Sequence, residues 1–313
     1  ELANVYYESI SSSGLVTGQA KLLEEKGWRP PSIAYSAMHG VGHQWAAKSF
    51  DTFGLRPFKS VPAQERPDAA FPTVPFPNPE ERGALALSQS FSEAEGCDII
   101  VANDPDADRL ACAERSRENG SWTTFTGDQI GTMLGHWLYT KVGKSSSDEK
   151  SIAMVASTVS SSMLSIIAKR EGFHFEDTLT GFKWIGSKAV DLNSSGYRTL
   201  FGYEEAIGFA YPDIVPDKDG IISLGILSEL AYHVYWEGKT LKEQMQSLYE
   251  KYGEFVSNNS YYFCQDSKVA LQIFDDFKRD GYPSSVAGYG IESIRYLGEP
   301  GYDSLVADRK PTL

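Results

Sequence analysis

The chain has 313 residues, of which 41% are hydrophobic, and a formal net charge of −13 at pH 7. This length exceeds what one hydrophobic core usually serves, so we expect two or three globular domains and not a disordered or fibrous protein. The acidic excess argues against a nucleic-acid or anionic-membrane partner, because such surfaces attract clustered lysine and arginine.

Membrane insertion and disulfide formation are both unexpected. No apolar run reaches the roughly 18 residues of a membrane span, and the first residues lack the basic start and apolar core of a signal peptide. The cysteines, Cys97, Cys112 and Cys264, are too few and too scattered to predict a disulfide framework or a zinc site. We therefore expect free thiols and a cytoplasmic protein.

The first part of the chain alternates strands and helices. Apolar runs and helical spacing predict strands at residues 33–38 and 97–102 and helices at residues 43–53 and 79–95. Residues 66–78 are rich in proline, which predicts an extended excursion. Thr126 and Gln129 fit a capping box with Asp128 in the first turn, so a helix should continue to about Val142.

The alternation resumes after a small, polar stretch at residues 143–150, which is typical of a linker. The elements expected beyond it are strands at residues 152–157 and 197–202 and helices at residues 160–171, 184–192 and 221–236. The last of these helices should bury one apolar face. After residue 251 we expect a strand at 261–265, a helix at 268–279 and a strand at 292–297. The pattern predicts an α/β protein with two consecutive units, followed by the opening of a smaller third domain.

Three aspartates at alternate positions follow the buried strand at residues 97–102. Asp104, Asp106 and Asp108 would repel one another without a cation, and oxygen-only ligands on a short loop suit Mg²⁺. The adjacent Arg109 would meet a phosphate bound to the same ion. A calcium EF-hand is excluded because Arg109 and Arg115 occupy the positions that need Gly and Glu. A haloacid-dehalogenase-like phosphatase with Asp104 as nucleophile and a solvated acidic turn remain as alternatives.

A resemblance to a known family covers nearly the whole chain. Six motifs carry it: SAMHGVGH at 36–43, FPNPEE at 76–81, NDPDADRLACAE at 103–114, GFHFEDTLTGFKWIG at 172–186, GYEEAIGF at 202–209 and DKDG at 217–220. Together they resemble the α-D-phosphohexomutase superfamily, in particular the branch of phosphoglucomutase-2, phosphopentomutase and glucose-1,6-bisphosphate synthase. The resemblance implies two mixed α/β/α sandwich domains, at 1–145 and 146–255, and the incomplete start of a small α+β domain at 256–313.

The resemblance also implies roles for individual residues. Asp104, Asp106 and Asp108 are expected to hold Mg²⁺, and Arg109 and Lys218 to act in catalysis, although a lysine flanked by acids is more often only ion-paired. The residues expected to bind substrate are Glu204, Glu205 and Lys183. His39 is a further candidate because it lies on a glycine-flanked loop after a strand, where ligands often bind. For the two glutamates the alternative is an exposed acidic strand end. For Lys183 the alternative is a solvated lysine at a helix start, and for His39 it is a ring that satisfies groups of its own loop.

The implied reaction interconverts sugar 1-phosphates and 6- or 5-phosphates through a phosphoserine and a bisphosphorylated intermediate, with a sugar 1,6-bisphosphate as activator. Ala206 stands where the family usually has Ser, so one hydroxyl contact is absent. The phosphoserine segment and the phosphate-clamp loop of the family are not found in the sequence. We therefore expect a piece of a longer enzyme that binds Mg²⁺ weakly and is inactive alone. A non-catalytic sugar-phosphate-binding protein is the remaining alternative.

Overall fold

The computed structural model describes residues 2–142, 152–257, 263–298 and 301–311. These form two compact units, one up to Ser257 and one that contains the described residues from 263 onward. The helices are α1 (Leu2–Ser12), α2 (Gln19–Glu25), α3 (His43–Phe53), α4 (Ala86–Glu95), α5 (Gly127–Lys141), α6 (Met163–Glu171), α7 (Phe182–Ser194), α8 (Gly220–Trp236), α9 (Leu241–Tyr252) and α10 (Ser267–Lys278). The strands of the first unit are β1 (Ile33–Ser36), β2 (Lys59–Ser60), β3 (Ile99–Ala102), β4 (Ala111–Arg115), β5 (Trp122–Thr124), β6 (Ile152–Ser157), β7 (His174–Thr178), β8 (Arg198–Glu204), β9 (Gly208–Tyr211) and β10 (Val215–Lys218). The predicted linker at residues 143–150 lies outside the described residues.

The first unit contains two mixed sheets with the same strand order. The order is β2-β1-β3-β4-β5 in one sheet and, read from the other edge, β7-β6-β8-β9-β10 in the other. In each sheet the first three strands are parallel, and the last two pair antiparallel to their neighbours. Helices flank both sheets, which confirms the predicted fold class of two mixed α/β/α layers.

The start of α5 agrees with the prediction, whereas the start of α4 does not. The capping box of α5 is confirmed, because the Thr126 hydroxyl accepts from the Gln129 amide at 3.2 Å and the Thr126 amide donates to the Gln129 side chain at 3.0 Å. By contrast, the helix predicted from residue 79 begins only at Ala86. Asn78 accepts from the Glu80 amide in a turn, and Gly83 has a φ of +84°, so the backbone is not helical there.

Helix α8 lies at the centre of the first unit. The residues predicted to share an apolar face of α8 are buried, and so is nearly every other residue of the helix. On one side, Gly225 lies so close to α3 that a Cβ there would be 2.3 Å from Phe53. On another side, Tyr235 donates a hydrogen bond at 3.0 Å to Glu114 of β4. Helices α2 and α3 both pack against α8, which explains part of this burial.

The second unit has little buried surface. After α10 it consists of two short antiparallel pairs, β11 (Ser285–Val286) with β12 (Tyr289–Gly290) and β13 (Arg295–Tyr296) with β14 (Tyr302–Asp303). The strand predicted at 292–297 is thus shorter, and residues 263–265 of the strand predicted at 261–265 are not a strand. Residues 261–262 lie outside the described residues.

The sequence predicts free, buried thiols, which is confirmed for Cys97 and Cys112, whereas the predicted burial is wrong for Cys264. Cys97 and Cys112 are buried free thiols, and Cys264 is an exposed one. Within the described parts of the chain, no helix has both the length and the apolar character needed to cross a bilayer.

Candidate active site

The three aspartates of the predicted metal site come together on the connection from β3 to β4. Asp104, Asp106 and Asp108 each offer one carboxylate oxygen, and these oxygens lie within 4.8 Å of one another. Asp104 is buried, Asp106 is exposed and Asp108 is partly exposed. Three oxygen ligands on one short loop, two of them facing solvent, fit Mg²⁺, which keeps water or phosphate oxygens in its other positions.

Hydrogen bonds inside the loop fix its shape. The Oδ1 atom of Asp104 accepts a hydrogen bond from the Arg109 amide at 3.0 Å, and the Asp104 carbonyl accepts one from the Ala107 amide at 2.9 Å. Ala107 has a left-handed φ of +62°, which turns the chain between the second and third aspartates. Asn103 accepts from the Tyr35 hydroxyl at 2.9 Å and donates to the Arg109 carbonyl at 2.5 Å. The loop is therefore closed at its base and can present its carboxylates in one arrangement.

Two glycines allow neighbouring segments to approach this loop. The amide of Val41, after β1, donates to the Pro105 carbonyl at 2.9 Å. A Cβ on Gly40 would lie 2.2 Å from the Pro105 backbone, and a Cβ on Gly220 would lie 2.4 Å from the Arg109 carbonyl. The aspartate loop is thus packed between the loop after β1 and the start of α8.

This packing predicts a large effect of adding a single methyl group at residue 40. We expect Gly40→Ala to displace Pro105, to lower the stability by about 1–3 kcal/mol and to weaken Mg²⁺ binding, because a methyl group cannot fit against the backbone there. Thermal unfolding and Mg²⁺ calorimetry measure the two effects. Gly290→Ala is the matched control, since a Cβ at Gly290 meets nothing within 4 Å. An unchanged unfolding temperature for Gly40→Ala would contradict the prediction.

The acidic cluster carries unfavourable charge in spite of two nearby cations. Burial raises the pKa of Asp104 to about 7, and the charges of Asp108 and Asp106 add to this, while the hydrogen bond and the charge of Arg109 oppose it. The Arg109 Nε lies 3.7 Å from Asp104 Oδ2, and the Lys218 Nζ lies 2.8 Å from Asp108 Oδ2. A divalent cation between the carboxylates would relieve the remaining repulsion.

Lys218 at the end of β10 is a counterion of the aspartates. Burial lowers its pKa, but the hydrogen bond and charge of Asp108 and the charge of Asp217, whose Oδ1 is 3.8 Å away, outweigh this, so the pKa is raised. The ammonium therefore stays protonated. This matches the alternative of an ion-paired lysine, and a role in proton transfer stays a prediction.

Of the paired glutamates, Glu204 is the last residue of β8 and Glu205 begins the connection from β8 to β9. The Glu205 carboxylate accepts from the hydroxyls of Ser157 at 3.1 Å and Ser160 at 3.3 Å, and the Glu205 amide donates to Ser160 at 3.1 Å. Burial and the charge of Glu205 raise the pKa of Glu204, while a hydrogen bond from the Gly181 amide opposes the shift. Glu205 is thus oriented by the end of β6, and Glu204 is tied to the start of α7.

The aspartate loop and the glutamate loop occupy equivalent places in the two sheets, because each follows the third strand. They touch each other directly. The Leu110 amide donates to the Ile207 carbonyl at 3.1 Å, and Arg109 forms an antiparallel bridge with Gly208. The loop of the candidate metal ligands is therefore adjacent to the loop of the candidate sugar ligands.

Lys183 and His39 are placed differently. Lys183 is exposed near the start of α7, with its Nζ 5.5 Å from the centroid of the Trp184 ring. The His39 ring is buried, and its Nε2 lies 2.8 Å from the Thr73 hydroxyl, while the His39 amide donates to the Gln64 carbonyl at 3.1 Å. Across the described residues, no hydrogen bond or ion pair joins either side chain to the aspartates. His39 thus satisfies groups of its own surroundings, and substrate binding by either residue stays a prediction.

Two further residues lie near the site and were not predicted from the sequence. The Tyr6 hydroxyl of α1 donates to Asp219 Oδ2 at 2.8 Å, a contact between residues 213 positions apart that no local pattern could reveal. Glu80 lies in the motif at 76–81, so a signal existed. Burial raises its pKa, while the charge of Arg109 opposes the shift and that of Glu205 reinforces it, which places Glu80 in the electrostatic environment of the site.

Comparison with protein families identifies two domains. The description "Phosphoglucomutase/phosphomannomutase, alpha/beta/alpha domain II" matches residues 5–119, and the corresponding domain III matches residues 126–252. The second match includes α5, whereas the predicted boundary at residue 145 assigns α5 to the first domain. That boundary stays a prediction.

The sequence is similar to those of several curated proteins over most of its length. The phosphopentomutase of Homo sapiens is 40% identical, covering 90% of this chain and 47% of the relative. The glucose 1,6-bisphosphate synthase of Homo sapiens is 41% identical, covering 90% and 46%. The phosphoribomutase of Saccharomyces cerevisiae is 38% identical, covering 100% and 52%. The chain spans about half the length of these relatives.

Solved structures support the fold. A phosphoglucomutase/phosphomannomutase family protein from Burkholderia thailandensis has a TM-score of 0.63 at 17% identity and covers 93% of this chain and 54% of its own. The putative phosphomannomutase from Thermus thermophilus has a TM-score of 0.62 at 24% identity, covering 81% and 51%. With both domain matches in the expected order, the chain belongs to the phosphoglucomutase/phosphomannomutase family.

Proposed function

We propose that this chain forms the metal-binding and sugar-binding part of a phosphomutase that interconverts the 1-phosphate and the 6- or 5-phosphate of a sugar. One observation carries the proposal: the loop of three aspartates after β3 is bridged to the loop of paired glutamates after β8. A phosphoryl-transfer site and a sugar-hydroxyl site are thereby adjacent. The names of the relatives, phosphopentomutase, phosphoribomutase and glucose 1,6-bisphosphate synthase, support the same class of reaction.

The metal site accounts for the transfer chemistry. Asp104, Asp106 and Asp108 would hold Mg²⁺, which stabilises negative charge on a phosphoryl group in transfer. Arg109 is permanently charged and its side chain is 36% exposed, so it can add a bidentate contact to the same phosphate.

The sugar site accounts for substrate orientation. Ionised Glu204 and Glu205 are acceptors only and suit two ring hydroxyls. Ala206 has no hydroxyl, so discrimination between pentose and hexose phosphates falls to other residues. Lys183 would meet the distal phosphate, His39 would line the cleft, and a sugar 1,6-bisphosphate would act as activator, as the synthase relatives suggest.

The alternative of a phosphatase with Asp104 as nucleophile has less support. Asp104 is only 6% exposed, one of its oxygens accepts the Arg109 amide, and burial raises its pKa to about 7. A nucleophile needs an accessible oxygen in its ionised form. The other alternative, a non-catalytic sugar-phosphate-binding protein, would have the same site geometry, so a mutase activity assay distinguishes it from an enzyme.

The metal assignment is tested by Mg²⁺ calorimetry. We expect Asp106→Asn to weaken Mg²⁺ binding at least about tenfold, because it removes one ionic ligand from an exposed position without disturbing the fold. Asp51→Asn, at an exposed position on α3, is the control with the same change of charge. Equal affinities for the two variants would contradict the assignment, and so would the absence of Mg²⁺ binding to the unmodified chain.

A further inference from the structure

Helix α5 begins directly beside the glutamate loop. A Cβ on Gly127, the first residue of α5, would lie 1.9 Å from the Glu205 carbonyl oxygen. About one turn later, a Cβ on Gly131 would lie 2.5 Å from the ring of Tyr203 in β8. The absence of a side chain at these two positions lets the start of α5 lie against the strand that ends in the glutamates.

Asp128, the second residue of α5, is buried and accepts hydrogen bonds from two other segments. Its Oδ1 accepts from the Ser161 amide at 2.6 Å and from the Tyr203 hydroxyl at 3.3 Å. The same hydroxyl lies 3.3 Å from the Ser161 carbonyl oxygen. The sequence alone assigns Asp128 a favourable charge in the first turn of a helix, whereas these bonds connect it to β8 and to the turn after β6.

The Ser161 amide is important because it belongs to the same peptide unit as the Ser160 Cα and carbonyl. This unit is planar and stiff, so a bond that holds the Ser161 nitrogen also restrains the Cα that carries the Ser160 hydroxyl. The Ser160 amide donates to the Ser157 carbonyl at 3.1 Å, which closes the turn after β6. Because the hydroxyls of both serines contact Glu205, a continuous series of contacts leads from Asp128 to the Glu205 carboxylate.

The contacts with the serines use only one oxygen of the carboxylate. Both hydroxyls donate to Glu205 Oε2, and no hydrogen bond within the described part of the chain joins Oε1 to another protein group. Glu205 is half-buried. A carboxylate that is held through Oε2 keeps Oε1 at one position, whereas a freely rotating one would have to be ordered when a ligand binds.

We propose that Asp128 is a positioning residue of the sugar site: it holds the turn after β6 through the Ser161 amide, and this turn orients the Glu205 carboxylate. The inference rests on the sugar site proposed above. It extends that site to a buried carboxylate of α5 that acts through other residues.

Calorimetric titration of the full chain with ribose 5-phosphate and, separately, glucose 6-phosphate in the presence of Mg²⁺ tests the proposal. Asp128→Ala removes the acceptor and should weaken binding about fivefold, because the turn and the Glu205 carboxylate gain freedom. Asp128→Asn is the matched control, since it makes the same change of charge but keeps an Oδ1 acceptor for the Ser161 amide, so its affinity should be unchanged. Each variant is titrated below its unfolding temperature.

Tyr203→Phe is a milder variant that keeps the buried ring and removes only the hydroxyl shared by Asp128 and Ser161. We expect it to weaken binding about threefold. Tyr211→Phe is its control, because Tyr211 is a buried tyrosine of the neighbouring strand β9 whose hydroxyl donates to Ser223 at 3.0 Å and not to Asp128. Equal affinities of these two tyrosine variants would count against the proposal.

A background that lacks the hydroxyls of Ser157 and Ser160 separates positioning from a general loosening of the fold. If Asp128 acts through this turn, Asp128→Ala should cause no further loss of affinity once both serines are alanine. The same fivefold loss in both backgrounds, or equal effects of Asp128→Ala and Asp128→Asn, would overturn the proposal. Failure of the sugar site itself is distinguishable, because the unmodified chain would then bind neither sugar phosphate, which would overturn both proposals together.

Discussion

Replacing Glu114 by alanine should lower the free energy of unfolding by about 3 kcal/mol, one of the largest effects we expect for a residue outside the site. Glu114 of β4 is 3% exposed and accepts three hydrogen bonds. The donors are the amides of Leu241 at 2.7 Å and Lys242 at 2.9 Å, at the start of α9, and the hydroxyl of Tyr235 at 3.0 Å. Truncation leaves these donors without their acceptor. Urea unfolding of both chains measures the difference.

Glu118→Ala is the control for this prediction. Glu118 is exposed and lines the same surface cavity as Glu114, so its removal takes away an equal charge without a buried hydrogen bond. We expect its free energy of unfolding to stay within about 0.5 kcal/mol of the unmodified chain. If the two variants are equally stable, the buried carboxylate does not hold α9 in place.

The pH dependence of Glu114→Gln provides a second measurement on the same residue. Burial raises the pKa of Glu114 above its ordinary value, although its three hydrogen bonds oppose the shift. The folded state therefore binds the proton more tightly, so the contribution of this group is fully present below the unfolded pKa and is lost as the pH rises through the folded pKa. The stability deficit of Glu114→Gln should accordingly be larger at about pH 4 than at about pH 8. A deficit that grows with pH would contradict the direction of this shift.

Glu114 matters for the site because it ties the two sheets together. It belongs to β4 of the first sheet, whereas α9 belongs to the region that matches domain III. The aspartate and glutamate loops meet only if the two sheets keep their relative position. A buried carboxylate that accepts three hydrogen bonds between the two regions helps to hold the sheets in that position.

The aspartate cluster could be predicted because its signal is local. Three acidic residues within five positions, directly after an apolar strand, must end at one edge of a sheet wherever the rest of the chain lies. The capping box at Thr126 and Gln129 is equally local, and it is confirmed. The predicted strands at 33–38, 97–102 and 152–157 all overlap observed strands, because buried parallel strands are continuous apolar runs.

The supporting contacts could not be predicted because they join distant residues. Ser160 is an example, because the sequence places it only at the start of the helix predicted at residues 160–171. In the structure Ser161 accepts from the Met163 amide at the start of α6, at 3.2 Å, and Ser162 makes no side-chain capping bond. Ser160 contacts Glu205, 45 positions away. Only the tertiary fold decides which polar group such a hydroxyl meets.

The repeated strand order of the two sheets was also invisible in the sequence. No internal repeat could be detected, although both sheets place their functional loop after the third strand. A strand order depends on the pattern of apolar segments and on the lengths of the connections between them. Many unrelated sequences share such a pattern, so two domains can have the same strand order without a detectable sequence repeat.

Replacing Glu205 by alanine should weaken the binding of ribose 5-phosphate or glucose 6-phosphate about a hundredfold in the presence of Mg²⁺. The reason is the hydrogen bond that we propose between this carboxylate and a sugar hydroxyl: without the carboxylate, the hydroxyl would lie in a partly buried site with no acceptor. The Ser157 and Ser160 hydroxyls hold this carboxylate at 3.1 and 3.3 Å. Calorimetric titration with the sugar phosphate measures the affinity.

The two serines make this prediction more specific. Removing both with Ser157→Ala and Ser160→Ala leaves the carboxylate present but free to rotate, so we expect a smaller loss of about tenfold. Ser162→Ala is the matched control, because Ser162 is exposed on the same turn and makes no capping bond. If the serine pair and Ser162 give the same affinity as the unmodified chain while Glu205→Ala remains weak, the carboxylate acts without its tether. If Glu205→Ala also binds the sugar phosphate with unchanged affinity, the glutamate loop does not contact the sugar hydroxyls.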